Sequence, residues 1–249
     1  RRLFDDLARR AGTPESQPTG APQRPSEARG LTLFAMPKAF TGHMATIQRN
    51  AIRSWARLDP PPEIILFGDE PGIRGMAEET GARHIADVSR NEFGTPLVNK
   101  LFEAAQDHAS TTVLAYVNAD MILMQDFVEG VQAVQSSLES FLLIGQRWDL
   151  VVLDEIDFTA SQWRESLLRQ VREHAILHAE CGLDYFVFRK GLWPRIPPFA
   201  IGRTAWDNWL VVDPHRRGVP VVDGTEFITA VHQDHDYGHV HGGRNEAWN

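Results

Sequence analysis

Between Leu31 and Val117 short apolar runs alternate with segments of helical period, and this alternation limits the folds open to the chain. "LTLFAM" (31–36) is an apolar run stopped by Pro37, short enough to be a buried strand. "HMATIQRNAIRSWARL" (43–58) carries apolar residues at 44, 47, 51, 52, 55 and 58, the spacing of one helical face, and Pro60-Pro61-Pro62 ends it. "EIILFG" (63–68) predicts a second strand, "IRGMAEETG" (73–81) a helix closed by glycine, and "ARHIAD" (82–87) a weaker third strand. Thr95-Pro96 is expected to cap a helix running to about His108, and "TTVLAYV" (111–117) is a fourth strand. Strands separated in this way by helices join through right-handed crossovers into a parallel sheet covered on both faces. The expected class is α/β.

The second half is less regular. Asp126 is expected to cap a helix over 127–138, and "FLLIGQRW" (141–148) reads as a strand. Thr159 and Gln162 suggest a capping box before a helix reaching about His178. "DYFVFRK" (184–190) reads as a strand and "IPPFAIG" (196–202) as an extended segment. "TAWDNWLVVD" (204–213) predicts a helix ended by Pro214, with short strands over 219–224 and 226–232. At the other end, residues 1–11 suggest a short amphipathic helix with Leu3, Phe4 and Leu7 on one side. Residues 12–29 are rich in Pro, Gly, Ser and Thr, so 1–29 reads as a helix and flexible linker, and a single domain is expected over 30–249.

A net charge of −8 and a pI of about 5.7 argue against general nucleic-acid binding, which needs an excess of Lys and Arg to neutralise phosphates. The single cysteine, Cys181, rules out an intramolecular disulfide and fits a reducing compartment. No apolar run approaches the roughly 18 residues of a membrane span, and no signal peptide is seen. The expected location is the cytoplasm, with attachment to a membrane surface left open.

Ligands of open parallel sheets bind beyond the carboxyl ends of the strands. Three loops occupy that edge: Pro37-Lys38, Gly68-Asp69 and Asn118-Ala119-Asp120. Asn118 and Asp120 stand two apart at a strand end, so two oxygen-bearing groups can converge on a hard divalent cation, although an Asx turn would leave the same pattern. Asp120 is the expected direct ligand and Asn118 the weaker partner. Asn99 and Lys100 lie in the first turns of the next helix, where Lys100 can meet a diphosphate. The stretch "AVHQDHDYGHVHGG" (230–243) holds His232, His235, His239 and His241 among aspartates, a density typical of metal ligands, and His232 follows a strand most closely. Asp207 lies between Trp206 and Trp209, a setting that can desolvate a carboxylate and raise it toward a general base. Asp184, at the start of a strand, is a second candidate to meet a hydroxyl substrate. No Walker loop, G-x-G-x-x-G or G-x-S-x-G is present.

The order of these pieces resembles the GT-A fold glycosyltransferases, of the family 2-like kind. "VLAYVNADMILMQDF" is similar to their stretch of buried strand, Asp-X-Asp metal motif and following helix, with Asn118 in place of the first acid. "TAWDNWLV" is similar to the later acidic motif that supplies the base in inverting members, reduced here to Asp207-Asn208. The resemblance covers about residues 31–241 and implies a nucleotide-sugar half over 30–125 and an acceptor half with a metal-binding tail over 126–249. It implies transfer of a sugar from a nucleoside-diphosphate sugar to a carbohydrate or other hydroxyl acceptor, with inversion and with Mn2+ or Mg2+ as cofactor. In that scheme Asp120 with His232 or His235 holds the cation. Pro37, Lys38, Asp69, Asn99, Lys100, Asn118 and Asp120 surround the donor. Asp184 and Trp206 face the acceptor, and Asp207 removes its proton. A sugar-phosphate nucleotidyltransferase and a metal-dependent hydrolase remain alternatives. The first would carry a Gly-rich basic loop after the first strand, where "MPKAFTGH" offers only Lys38 and Gly42.

Overall fold

In the first strand, β1 (Leu31–Ala35), Leu31, Leu33 and Ala35 enter one core and Phe34 enters another, the period-2 alternation of a strand covered on both faces. The computed structural model describes residues 30–180, 182–203 and 205–235. The expected N-terminal helix and linker, Cys181, and His239 and His241 lie outside the described residues.

Around β1 lie β2 (Glu63–Phe67), β3 (Arg83–Ile85) and β4 (Val113–Val117), all parallel to their neighbours. The seven-stranded sheet has the order β10-β6-β9-β4-β1-β2-β3. β6 (Leu142–Ile144) and β10 (Val221–Asp223) are parallel to each other, and β9 (Tyr185–Arg189) runs antiparallel to both β4 and β6. Among the described residues β9 is thus the single reversed strand of an otherwise parallel sheet. The helices α1 (Gly42–Trp55), α2 (Ile73–Thr80) and α4 (Gln125–Ser137) cover one face, and α3 (Val98–His108) and α6 (Trp206–Arg216) the other. The second face is built on rings: Phe102 lies edge-on to Phe34 at 5.1 Å and stacks on Phe188 at 5.6 Å.

A second, four-stranded sheet has the order β5-β11-β7-β8, from β5 (Met121–Leu123), β7 (Trp148–Leu150), β8 (Ile176–Leu177) and β11 (Ala230–Gln233). α5 (Trp163–His174) packs on it through Trp163, Leu167 and Val171. Its edge strand β5 is tied to α1: Trp55 Nε1 donates to the Met121 carbonyl at 2.8 Å, and the Leu123 N–H donates to Ser54 Oγ at 3.1 Å. Among the described residues no helix is long and apolar enough to cross a membrane.

Several local expectations are corrected. The run 141–148 is not one strand: it breaks at Gly145 into β6 and β7, which belong to different sheets. A Cβ on Gly145 would sit 2.1 Å from the Tyr185 hydroxyl, so only glycine passes there. Asp126 is inside the first turn of α4, not its cap, and accepts the Thr229 N–H at 3.1 Å. Thr95-Pro96 does not open α3: Pro96 bridges to Arg90, and Leu97 precedes the helix. Thr159 folds onto Asp157 in a turn, so no capping box forms. Pro214 lies inside α6, near its last turn, instead of ending it.

Candidate active site

Strand order delivers the site. β1 and β4 are neighbours and both end at the same edge, so Met36-Pro37-Lys38 and Asn118-Ala119-Asp120 stand side by side. Because β9 runs the other way, its first residues reach that edge too: Val117 pairs with Tyr185, and the Asn118 N–H donates to the Asp184 carbonyl at 2.8 Å. The second sheet closes the arrangement, since Met121 of β5 pairs with His232 of β11. The result is a cleft of about 660 Å3 lined by residues that include Pro37, Lys38, Asn118, Asp120, Asp184, Trp206, Asp207, His232 and His235.

Within it, ligand atoms of Asp120, His232 and His235 all lie within 4.8 Å of one another. His235 Nε2 is 3.1 Å from Asp120 Oδ2 and His232 Nε2 is 3.9 Å from it. Both histidines are almost fully buried, with side chains 5% and 2% exposed. Asp120 Oδ1 is buried and has no hydrogen-bond partner among the described residues. A buried carboxylate oxygen left without a donor carries a cost unless something charged meets it. One carboxylate and two imidazoles around such an oxygen fit a divalent transition-metal cation. Burial acts to raise the Asp120 pKa, but the hydrogen bond from His235 and the nearby His232, His235 and Lys38 outweigh it and hold the carboxyl below its usual range. Lys38 moves the same way for a different reason: burial lowers its pKa, and the Asp120 charge only partly offsets this.

The remaining expected residues separate into two groups. Asn118, Asp184 and Trp206 line the cleft, but the polar side-chain atoms of Asn118 and Asp184 are already engaged. Asn118 Oδ1 accepts from the Tyr116 hydroxyl at 2.9 Å, and its Nδ2 donates to Asp184 Oδ1 at 2.5 Å. Asn118 is therefore a bridge to Asp184 rather than an arm toward a cation. Asp184 is 6% exposed, and its other oxygen pairs with the Arg147 guanidinium. Burial and the Asp120 charge push its pKa up against the pull of Arg147. Where a carboxylate held out to an acceptor is expected, the structure shows one that lines the cleft with both oxygens paired to protein groups. Trp206 is buried, with its ring edge-on to Tyr116 at 5.5 Å.

Asp207 is half-buried on the cleft wall in the first turn of α6, where its Oδ1 accepts the Asn208 N–H at 2.8 Å. Ala205, two residues before it, has φ of 79°, a left-handed conformation that a non-glycine residue adopts only under constraint. Three residues expected around the donor do not line this cleft. Asp69 is 72% exposed at its side chain and pairs with Arg90 at 3.3 Å, and Glu70 and Arg90 line the cleft in its stead. Lys100 pairs with Glu103 at 2.6 Å and lines a separate pocket of about 210 Å3. Asn99, beside it, lines neither.

Asp149 was not foreseen. β7 runs parallel to β11 with Asp149 directly opposite His232, and Asp149 Oδ1 lies 3.0 Å from His232 Nδ1. Its Oδ2 lies 2.6 Å from His178 Nδ1, and Arg147 Nε donates to Oδ1 at 2.9 Å. The one signal in the sequence was a lone acid inside the apolar run "WDLVVL", a position that needs partners once it is part of a sheet.

No family model and no curated protein matches the sequence. Among solved structures, the TarS protein of S. aureus in complex with UDP-GlcNAc superposes with a TM-score of 0.53 at 11% identity, over 84% of this chain and 60% of that one. The mannosyltransferase PcManGT from Pyrobaculum calidifontis, in complex with GDP-Man and Mn2+, superposes with a TM-score of 0.51 at 11% identity, over 95% of this chain and 65% of that one. This chain thus spans under two thirds of the length of either. At such identity the likeness speaks of architecture, and by its architecture this chain has the GT-A fold.

Proposed function

We propose that the chain transfers a sugar from a nucleoside-diphosphate sugar to a hydroxyl acceptor, with inversion and with a divalent cation bound. The observation that carries this is the convergence of Asp120, His232 and His235, with an unpartnered oxygen of Asp120, at the carboxyl edge of a GT-A sheet inside a large cleft. The solved neighbours that share the fold hold UDP-GlcNAc in one case and GDP-Man with Mn2+ in the other.

In this reading Asp120, His232 and His235 hold the cation, Mn2+ or Mg2+. Once bound, it supplies Lewis-acid stabilisation of the negative charge on the departing diphosphate. Lys38 and Pro37 flank the donor from the end of β1, and Lys38 adds positive charge beside Asp120. Asp207, on the α6 side of the cleft, takes the proton of the acceptor hydroxyl as its oxygen bonds to the anomeric carbon and the bond to the diphosphate breaks. Trp206 forms part of the same wall and gives the acceptor an apolar surface. The nucleotidyltransferase alternative gains nothing from the fold, since the loop after β1 brings no further basic residue than Lys38 to the cleft.

The test separates binding from turnover. Asp207→Asn is expected to keep metal-dependent nucleotide binding while transfer falls by about 100-fold or more. Transfer at wild-type rate in that variant would remove Asp207 from the role of base.

A further inference from the structure

The four-stranded sheet carries a line of polar groups behind the cation cluster. Its register places them: Met121, next to Asp120, is opposite His232, His232 is opposite Asp149, and Asp149 is opposite Ile176, two residues before His178. Residues opposite one another across strands send their side chains to the same face. His232 is consequently held between two carboxylates, with Nδ1 3.0 Å from Asp149 Oδ1 and Nε2 3.9 Å from Asp120 Oδ2. Asp149 is itself fixed from two other directions, by His178 Nδ1 at 2.6 Å and by Arg147 Nε at 2.9 Å.

An ionised carboxylate only accepts hydrogen bonds, so its contact with His232 requires the hydrogen on Nδ1. The neutral ring then has its lone pair on Nε2, the atom that faces Asp120. The opposite tautomer would set a lone pair against Asp149 and turn an N–H toward the place where Asp120, His232 and His235 converge. Resting on the cation site argued above, we propose that Asp149 is a positioning residue that holds His232 in the Nδ1–H tautomer and so presents Nε2, with Asp120 and His235, to a divalent cation. Partners of this kind orient a ligating imidazole and raise its basicity. His178 and Arg147 serve the same end one step further out, by leaving the Asp149 carboxylate a single orientation.

The first measurement is ring nitrogen NMR of metal-free protein labelled at histidine. His232 is expected to carry its hydrogen on Nδ1, and a ring protonated only on Nε2 overturns the proposal. The second is titration with Mn2+ alone, without nucleotide, for wild type, Asp149→Asn, His232→Gln and the double variant. Asp149→Asn is expected to weaken Mn2+ binding about 10–100-fold, and to add no further loss once His232 is replaced. An unchanged affinity, or an equal loss in both backgrounds, overturns the proposal, because a general structural effect would not depend on His232. If the double variant binds too weakly to measure, the ring NMR still decides. Failure of the wild type to bind Mn2+ counts against the cation site itself, whereas Mn2+ binding that ignores Asp149→Asn counts against Asp149 alone. Mn2+ binding with no effect on any nucleotide removes the transferase reading and leaves the role of Asp149 standing.

Discussion

Both heteroatoms of the Asn118 amide have partners, one in Tyr116 and one in Asp184, and this decides what the first position of the motif can do. An aspartate there would resemble the Asp-X-Asp pattern more closely and work less well. Its carboxylate would face the Asp184 carboxylate, already pushed up in pKa by burial and by Asp120. Asn118→Asp is expected to lower stability by about 1–3 kcal/mol in chemical denaturation and to leave Mn2+ affinity no better than wild type; a gain in both would refute the bridging role. Gly182 is held by contact as well. A Cβ there would approach His178 Cδ2 to 2.3 Å, so Gly182→Ala has to displace the ring that braces Asp149. Asp120 was readable from its place at a strand end, because strand ends of parallel sheets are where ligands bind. The engagement of Asn118 was not readable, because its partner Asp184 is 66 residues away and reaches it only through the reversed strand β9.

At the scale of elements, β11 does most to assemble the site, and Gln233 anchors it. Gln233 is fully buried; its Nε2 donates to the Ile47 carbonyl at 2.7 Å and to the Asp120 carbonyl at 3.0 Å, and its Oε1 accepts from Asn50 at 3.0 Å. One side chain thus joins α1, the end of β11 and the loop that bears Asp120. Gln233→Leu removes all three bonds, although Asn50 Nδ2 keeps the Asp154 carbonyl and the Asp120 carbonyl keeps the backbone N–H of residue 233, and it is expected to cost about 1–3 kcal/mol in a denaturation experiment. Retention of full stability would mean that water or neighbours replace the amide. The strands and helices of the first half were legible because each has one dominant period and a clear stop. The second half was not, because its strands are only two to five residues long and switch sheets: 141–148 looks continuous, yet Gly145 turns it from one sheet into the other. Local pattern gives no information on which sheet a short strand joins, and Asp149 was missed for that reason.

Across the whole molecule the large sheet is tied at the edge opposite the site by Glu63. Its Oε2 accepts from Thr32 Oγ at 2.8 Å, the Ser110 N–H at 2.7 Å and Ser110 Oγ at 2.8 Å, and Arg83 lies 3.5 Å from its other oxygen. Burial acts to raise its pKa, but these donors and Arg83 prevail and hold it below the ordinary glutamate value. A carboxyl whose pKa is depressed by folding stabilises fully above its unfolded pKa of about 4.3, and loses that contribution as pH falls through the folded value. The stability advantage of wild type over Glu63→Gln is therefore expected to be constant near neutrality and to shrink on acidification below about pH 4; an advantage that does not change with pH would contradict it. The carboxyl ends of the same sheet hold the cleft, with buried, incompletely paired groups such as Asp120 Oδ1. The proposed function requires that these groups bind a cation and, through it, a nucleoside diphosphate. The deciding measurement is calorimetric titration of UDP and GDP into wild type and Asp120→Ala, each with and without Mn2+. Heat of binding is expected for at least one nucleotide in wild type only when Mn2+ is present, and none in Asp120→Ala; nucleotide binding that ignores both Mn2+ and Asp120, or no binding at all, would rule out a cation-held donor.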